Sequence, residues 1–336
     1  MWHSCARVRR VVLVVLASAL AIGACAHSRD GTTGEPATTG RTLSTVAPTS
    51  EPTTTTPTTT TPTPTPTATP TTLDPTIDRP FEVLAPSSYD GSVPVPLVVS
   101  LHGYGVNGDM QEQFLPLQPL GEEHGFLLVH PDGTVNALGK YYWNATDACC
   151  GMGTSTVDDS GYLGSVIDHV QAAYNVDPRR IFVVGYSNGG FMSYRTACDH
   201  ADTIAAIVSI SGASFLDPAG CAPSQPVNVL EIHGTDDDTI GYYGGTILGG
   251  DHPGAEQSVA DWATYNGCTG SPVAAPTRLD LEASIDGAES VVTEFGGCPP
   301  GGTVELWTIA GGTHVPELSA TFTSDVIDFL LAHPQP

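Results

Sequence analysis

The sequence predicts an α/β fold: one mostly parallel sheet with helices on both faces, spanning residues 80–336. Three observations predict it. Short apolar runs alternate with segments of helical periodicity. The runs are apolar almost without interruption, as suits strands covered on both faces. A Gly-x-Ser-x-Gly pentapeptide stands where one such run gives way to a helix.

In order, the expected strands are Pro96–Leu101, Phe126–Val129, Ile181–Val184, Ala205–Ile210, Val227–Ile232 and Val304–Ile309. The expected helices are Met110–His124, Gly161–Tyr174, Gly189–His200, Glu256–Asn266 and Ser319–Ala332. Asp158 and Asp159 supply start signals for the second, in which Val166, Ile167 and Val170 recur at helical spacing.

The residues before the domain read differently. Arg7, Arg9 and Arg10 precede the apolar run Val11–Leu20, so residues 1–24 are expected to be an export signal. The signal ends in Ile22-Gly23-Ala24-Cys25, which resembles a bacterial lipoprotein processing site and implies lipidation of Cys25. Residues 25–79 are rich in Ser, Thr, Gly and Pro. With little apolar surface to bury they are expected to remain an extended tether. The predicted location is extracellular or at the cell surface, with membrane contact only through that anchor.

The chain of 336 residues carries 36 acidic and 11 basic side chains, a formal charge of −25. Such a surface repels phosphate backbones, which excludes a nucleic-acid partner, and gives little purchase on anionic headgroups. Of eight cysteines, Cys5 falls in the signal and Cys25 at its end, leaving six in the domain. An even number in an exported domain argues for disulfides. No Cys-x-x-Cys or His spacing accompanies them, so no metal is expected. Helices in such a fold return the chain to the sheet edge opposite the strand ends. Cys198 and Cys221 should both lie there, as should Cys268 and Cys298, so Cys198–Cys221 and Cys268–Cys298 are the expected bridges. Cys149 and Cys150 remain, either as a vicinal pair or as free thiols.

Gly185-Tyr186-Ser187-Asn188-Gly189 follows the strand Ile181–Val184 and opens a helix. Its glycines relieve crowding at a sharp turn that lifts the Ser187 hydroxyl out as a nucleophile. A nucleophilic serine needs a base, and the base an orienting acid, in the chain order Ser, Asp or Glu, His. His314 follows the strand Val304–Ile309 in a Gly-rich loop and is the expected base. His200 and His333 lie at helix ends, His252 lies in a Gly-rich loop, and His233 precedes the acidic cluster. The acid is one of Asp236, Asp237 and Asp238, which local spacing does not separate. The expected oxyanion donors are the backbone N–H groups of Asn188, next to the nucleophile, and Tyr104, in the loop His102-Gly103-Tyr104-Gly105.

Several motifs now stand in order. They are the His-Gly loop at 102–105, Tyr142-Trp143-Asn144 with Cys149-Cys150-Gly151, Val157-Asp158-Asp159, Gly-Tyr-Ser-Asn-Gly-Gly-Phe-Met at 185–192, and His-Gly-Thr-x-Asp at 233–237. Together they resemble the secreted polyhydroxybutyrate depolymerase and feruloyl esterase family of α/β-hydrolases. The resemblance runs from Pro80 to the C-terminus and implies the α/β-hydrolase fold. It also implies Asp237 as the acid, no cofactor, and hydrolysis of feruloyl or acetyl esters on polysaccharides or of short hydroxyalkanoate polyesters. Tyr142 and Trp143 are candidate stacking partners for a sugar or phenolic ring, with loop packing as the alternative. One departure stands out: Val315-Pro316 follows His314 where the family commonly has Trp-Pro. A monomer is expected. A serine peptidase and a non-catalytic polymer-binding lipoprotein are the competing readings.

Overall fold

All six apolar runs become strands of one nine-stranded sheet in the computed structural model, which describes residues 79–151 and 155–336. The signal segment 1–24, Cys25 and the tether up to residue 78 lie outside the described residues. The strands are β1 (Val83–Leu84), β2 (Val95–Leu101), β3 (Leu127–Val129), β4 (Val176–Tyr186), β5 (Ala206–Ile210), β6 (Asn228–Gly234), β7 (Pro272–Leu279), β8 (Ser290–Phe295) and β9 (Val304–Ile309). They lie in the order β1-β3-β2-β4-β5-β6-β9-β8-β7. From β3 to β9 every pairing is parallel, while β1, β8 and β7 extend the edges antiparallel.

Alternate residues of the central strands feed two separate cores. Leu97, Val99 and Leu101 of β2 join one, with Val98 in the other. Val183 and its neighbours Phe182 and Val184 divide in the same way. The first core is closed by α3 (Asp159–Ala173), α4 (Asn188–Asp199) and α5 (Ala255–Asn266), through residues such as Leu163, Met192 and Trp262. The second is closed by α6 (Phe322–Ala332), through Phe322, Val326 and Leu330. Continuous apolar strands are required because neither face meets water.

The structure departs from expectation in two respects. The segment Met110–His124 forms two helices, α1 (Gly108–Phe114) and α2 (Gln118–His124). Pro116 lacks an N–H and excludes Leu115 from helical torsions, and Leu115 takes φ −120° and ψ 82°. The strands β1, β7 and β8 have no counterpart among the six apolar runs. Most of β7 is exposed and it contains Pro272 and Pro276, a composition that an edge strand tolerates. Among the described residues, no helix is long and apolar enough to cross a membrane.

Disulfides join Cys198 to Cys221, Cys268 to Cys298, and Cys149 to its neighbour Cys150. The first two tie the ends of α4 and α5 to the segments entering β6 and β9. Cys268 and Cys298 are 30 residues apart. By chain entropy, closing such a loop stabilises the fold by about 3–4 kcal/mol. Replacing both cysteines with serine is therefore expected to lower the denaturant midpoint clearly, and an unmoved midpoint would show that the bridge adds nothing.

Candidate active site

The C-terminal ends of β2, β4, β5, β6 and β9 lie in register, with Leu101 beside Gly185, Tyr186 beside Ile210, Ile210 beside Ile232, and Ile309 beside Gly234. The loops that follow them therefore gather at one edge of the sheet.

Ser187 sits between β4 and α4 with φ 54° and ψ −118°, torsions that L-residues seldom adopt. Its N–H donates to the Ile210 carbonyl at 2.7 Å, which fixes the turn to the neighbouring strand. The flanking glycines are required by space. A Cβ on Gly185 would overlap the Gly189 carbonyl, and one on Gly189 would overlap that of Leu101.

His314, in the loop after β9, places Nε2 3.0 Å from Ser187 Oγ and Nδ1 2.8 Å from Asp237 Oδ2. An ionised carboxylate only accepts, so Nδ1 carries the ring proton and Nε2 is left to accept from the serine hydroxyl. The Tyr186 hydroxyl donates to the His314 carbonyl at 3.0 Å, and its ring packs on the imidazole with centroids 5.4 Å apart. Burial, reinforced by the charge of Asp237, pushes this hydroxyl's pKa far up, so it remains a donor.

Of the three candidate acids only Asp237 turns inward; Asp236 and Asp238 are exposed. Asp237 Oδ1 accepts from the amides of Thr239 and Ile240, both at 2.8 Å. Burial alone would raise its pKa. Hydrogen bonds from His233 and His314, the charge of His314 and the Thr239 amide outweigh burial and hold the carboxyl well below the usual carboxylate range.

The two expected oxyanion donors flank this group. Asn188 is the first residue of α4, where a backbone N–H has no partner inside the helix. Its side chain is committed elsewhere, accepting from the Trp143 N–H at 2.7 Å and donating to the Trp143 carbonyl at 2.9 Å. Tyr104 lies in the loop after β2, anchored by the buried His102. That ring donates from Nδ1 to the Gly103 carbonyl and accepts the Gly133 N–H on Nε2, both at 2.8 Å. Burial lowers the His102 pKa, in keeping with this neutral tautomer.

Tyr142 and Trp143 are not stacking surfaces. Trp143 is fully buried, its indole N–H donating to the His102 carbonyl at 3.0 Å. Tyr142 is buried too, with its hydroxyl 2.9 Å from Ser155 Oγ. A satisfied N–H lets the whole indole be buried, and Trp143 there braces the Asn188 side chain beside the nucleophile. Neither residue borders the cavity of about 310 Å³ that contains Ser187 and His314. Its walls are Tyr104, Val106, Tyr186, Ile240, the Cys149–Cys150 pair and the tip Ile247-Leu248. That tip belongs to a small hairpin (Gly245–Ile247 with Gly250–His252) turning through Leu248 and Gly249, both at positive φ. The Leu-Gly-Gly turn was its only signal in the sequence. Two larger cavities, of about 1040 and 650 Å³, contain none of Ser187, His314 and Asp237.

A second imidazole also reaches Asp237. His233 Nε2 lies 3.2 Å from Asp237 Oδ2, and its Nδ1 lies 2.9 Å from Glu231. The sequence signal was Glu231 itself, an acid inside a fully buried strand.

A strained serine elbow after a central parallel strand, with histidine and aspartate delivered by later strand ends, defines an α/β-hydrolase. The profile of the family described as "Phospholipase/Carboxylesterase" matches residues 149–248. Feruloyl esterase B of Piromyces equi is 28% identical over 237 residues, 68% of this chain and 41% of that protein. Feruloyl esterase C of Emericella nidulans is 28% identical over 227 residues, 66% of this chain and 71% of that protein. The solved acetyl xylan esterase from Aspergillus awamori shares the fold with a TM-score of 0.53 at 16% identity, covering 76% of this chain and 94% of that one. The chain thus has the α/β-hydrolase fold and is similar in sequence to these esterases, and it spans less than half the length of the Piromyces relative.

Proposed function

We propose that this protein is a serine carboxylic-ester hydrolase. The observation that carries the reading is the unbroken chain Ser187–His314–Asp237, with links of 3.0 and 2.8 Å. His314 takes the proton from Ser187 as its oxygen attacks the ester carbonyl, and Asp237 holds the imidazole in the reactive tautomer. The Asn188 and Tyr104 amides receive the developing oxyanion. His314 then protonates the leaving alcohol, and water releases the acid from the acyl-enzyme. No step calls on a cofactor.

The largely apolar cleft suits a compact acyl group better than a charged peptide. The feruloyl and acetylxylan esterases among its relatives favour feruloyl or acetyl esters on polysaccharides, with a short hydroxyalkanoate polyester as the alternative. Three disulfides suit an oxidising compartment, in line with export.

Hydrolysis of p-nitrophenyl acetate, blocked by a fluorophosphonate that labels the Ser187 peptide, is the expected result. Turnover that survives the reagent, or a label elsewhere, would refute the serine mechanism. A parallel assay on methyl ferulate and a hydroxybutyrate oligomer then separates the two substrate classes.

A further inference from the structure

Asp237 is held from two sides. His314 approaches Oδ2 from the cleft, and His233 approaches the same oxygen from inside the fold. His233 is 1% exposed and Glu231, behind it, is fully buried. His233 Nε2 lies 2.8 Å from the Ile240 carbonyl as well as 3.2 Å from Asp237. A carbonyl only accepts, so Nε2 carries a proton. Nδ1 faces Glu231 Oε1 at 2.9 Å, and Glu231 Oε2 accepts from the Tyr194 hydroxyl at 3.0 Å. A buried ion pair is a poor source of stability, because apolar side chains of similar volume serve as well or better. Its placement one hydrogen bond behind the orienting acid points to the reaction.

We propose that Glu231 and His233 are positioning residues: they clamp Asp237 from the side opposite His314. This rests on the Ser187–His314–Asp237 reading above. With Oδ1 held by two amides and Oδ2 shared between two imidazoles, the Asp237 carboxylate cannot rotate away from His314. Burial opposes charge on both partners and raises the Glu231 pKa, while bonds to Asp237 and Glu231 outweigh it at His233 and raise that pKa to about 9. The other polar groups around it are few. Tyr242 meets its ring edge-on at 5.8 Å and is linked through its hydroxyl to Glu256. His252 lies on the small hairpin, and burial lowers its pKa. The Tyr194 hydroxyl donates to Glu231, and Ser209 also faces that carboxylate. His233 and His314 are thus coupled through one oxygen of Asp237, the first from inside the fold and the second from the cleft.

Glu231→Gln keeps the shape and lets His233 remain hydrogen-bonded while neutral. It is expected to lower kcat on p-nitrophenyl acetate about tenfold with little change in KM. The acid limb of the pH profile should move up by roughly half a pH unit. Tyr194→Phe removes one donor to Glu231, a gentler change that should shift the profile in the same direction. In an Asp237→Asn background, Glu231→Gln should add nothing, because the pair acts through Asp237.

A stability readout accompanies these. A protonated His233 contributes stability that is complete below the ordinary histidine value of 6.5 and is lost as pH rises through about 9. Wild-type stability should therefore fall across that window, and Glu231→Gln should flatten the fall. Variants that lose melting temperature while keeping wild-type kcat and acid limb would overturn the proposal, leaving the pair as mere packing. NMR titration of the His314 ring in wild type and in both variants decides the matter without any substrate. An unmoved His314 titration refutes the clamp, whereas a shifted one in a protein that hydrolyses no ester would refute only the esterase reading.

Discussion

Ser187→Ala is expected to abolish ester hydrolysis, with kcat reduced by ~10⁴-fold or more, since nucleophile, base and acid act as a unit. The fold should be unaffected. The Ser187 amide, not its hydroxyl, donates to the Ile210 carbonyl, and alanine meets the same torsional demand at φ 54°. Only the 3.0 Å contact with His314 Nε2 disappears. Thermal unfolding measured beside the rate checks both halves. A variant that keeps a substantial fraction of activity would place the nucleophile elsewhere.

The second large effect is expected at Asp237. Asp237→Asn presents an amide to His314 Nδ1 and favours the wrong tautomer, so kcat should fall by roughly 10⁴-fold. This variant should also lose stability, because it withdraws a charge from the buried His233. Asp236→Asn and Asp238→Asn change exposed side chains and should stay within about twofold of wild type. Steady-state kinetics of the three variants, with denaturant midpoints for each, test the assignment. A severe loss at Asp236 or Asp238 with activity retained at Asp237 would move the acid.

Much of the site was legible because the signals are local. The elbow needs Gly185 and Gly189 within a few residues of Ser187, and that requirement is written in the pentapeptide. The loop after β9 announces itself by its glycines at the end of an apolar run. The three aspartates at 236–238 are different. Each is chemically competent, and the family resemblance rather than spacing distinguished Asp237. In the structure, amides of Thr239 and Ile240 and the ring of His314, 77 residues away in sequence, meet that carboxylate alone.

Composition and periodicity by themselves determined the parallel sheet with its two cores, the Ser187 elbow, and the far-edge positions of Cys198, Cys221, Cys268 and Cys298. These follow from the burial pattern of single strands and from turn chemistry, which act over a few residues. Only the tertiary structure decided that Trp143 is a buried brace and not a stacking platform, and that Cys149 and Cys150 wall the cleft together with Ile247 and Leu248. It alone showed that Glu231 and His233 stand behind Asp237. An aromatic ring reads the same in sequence whether it lines a cavity or fills a core. A buried acid finds its partner by where β6 and the loop beyond it bring the chain, and no local periodicity records that distance.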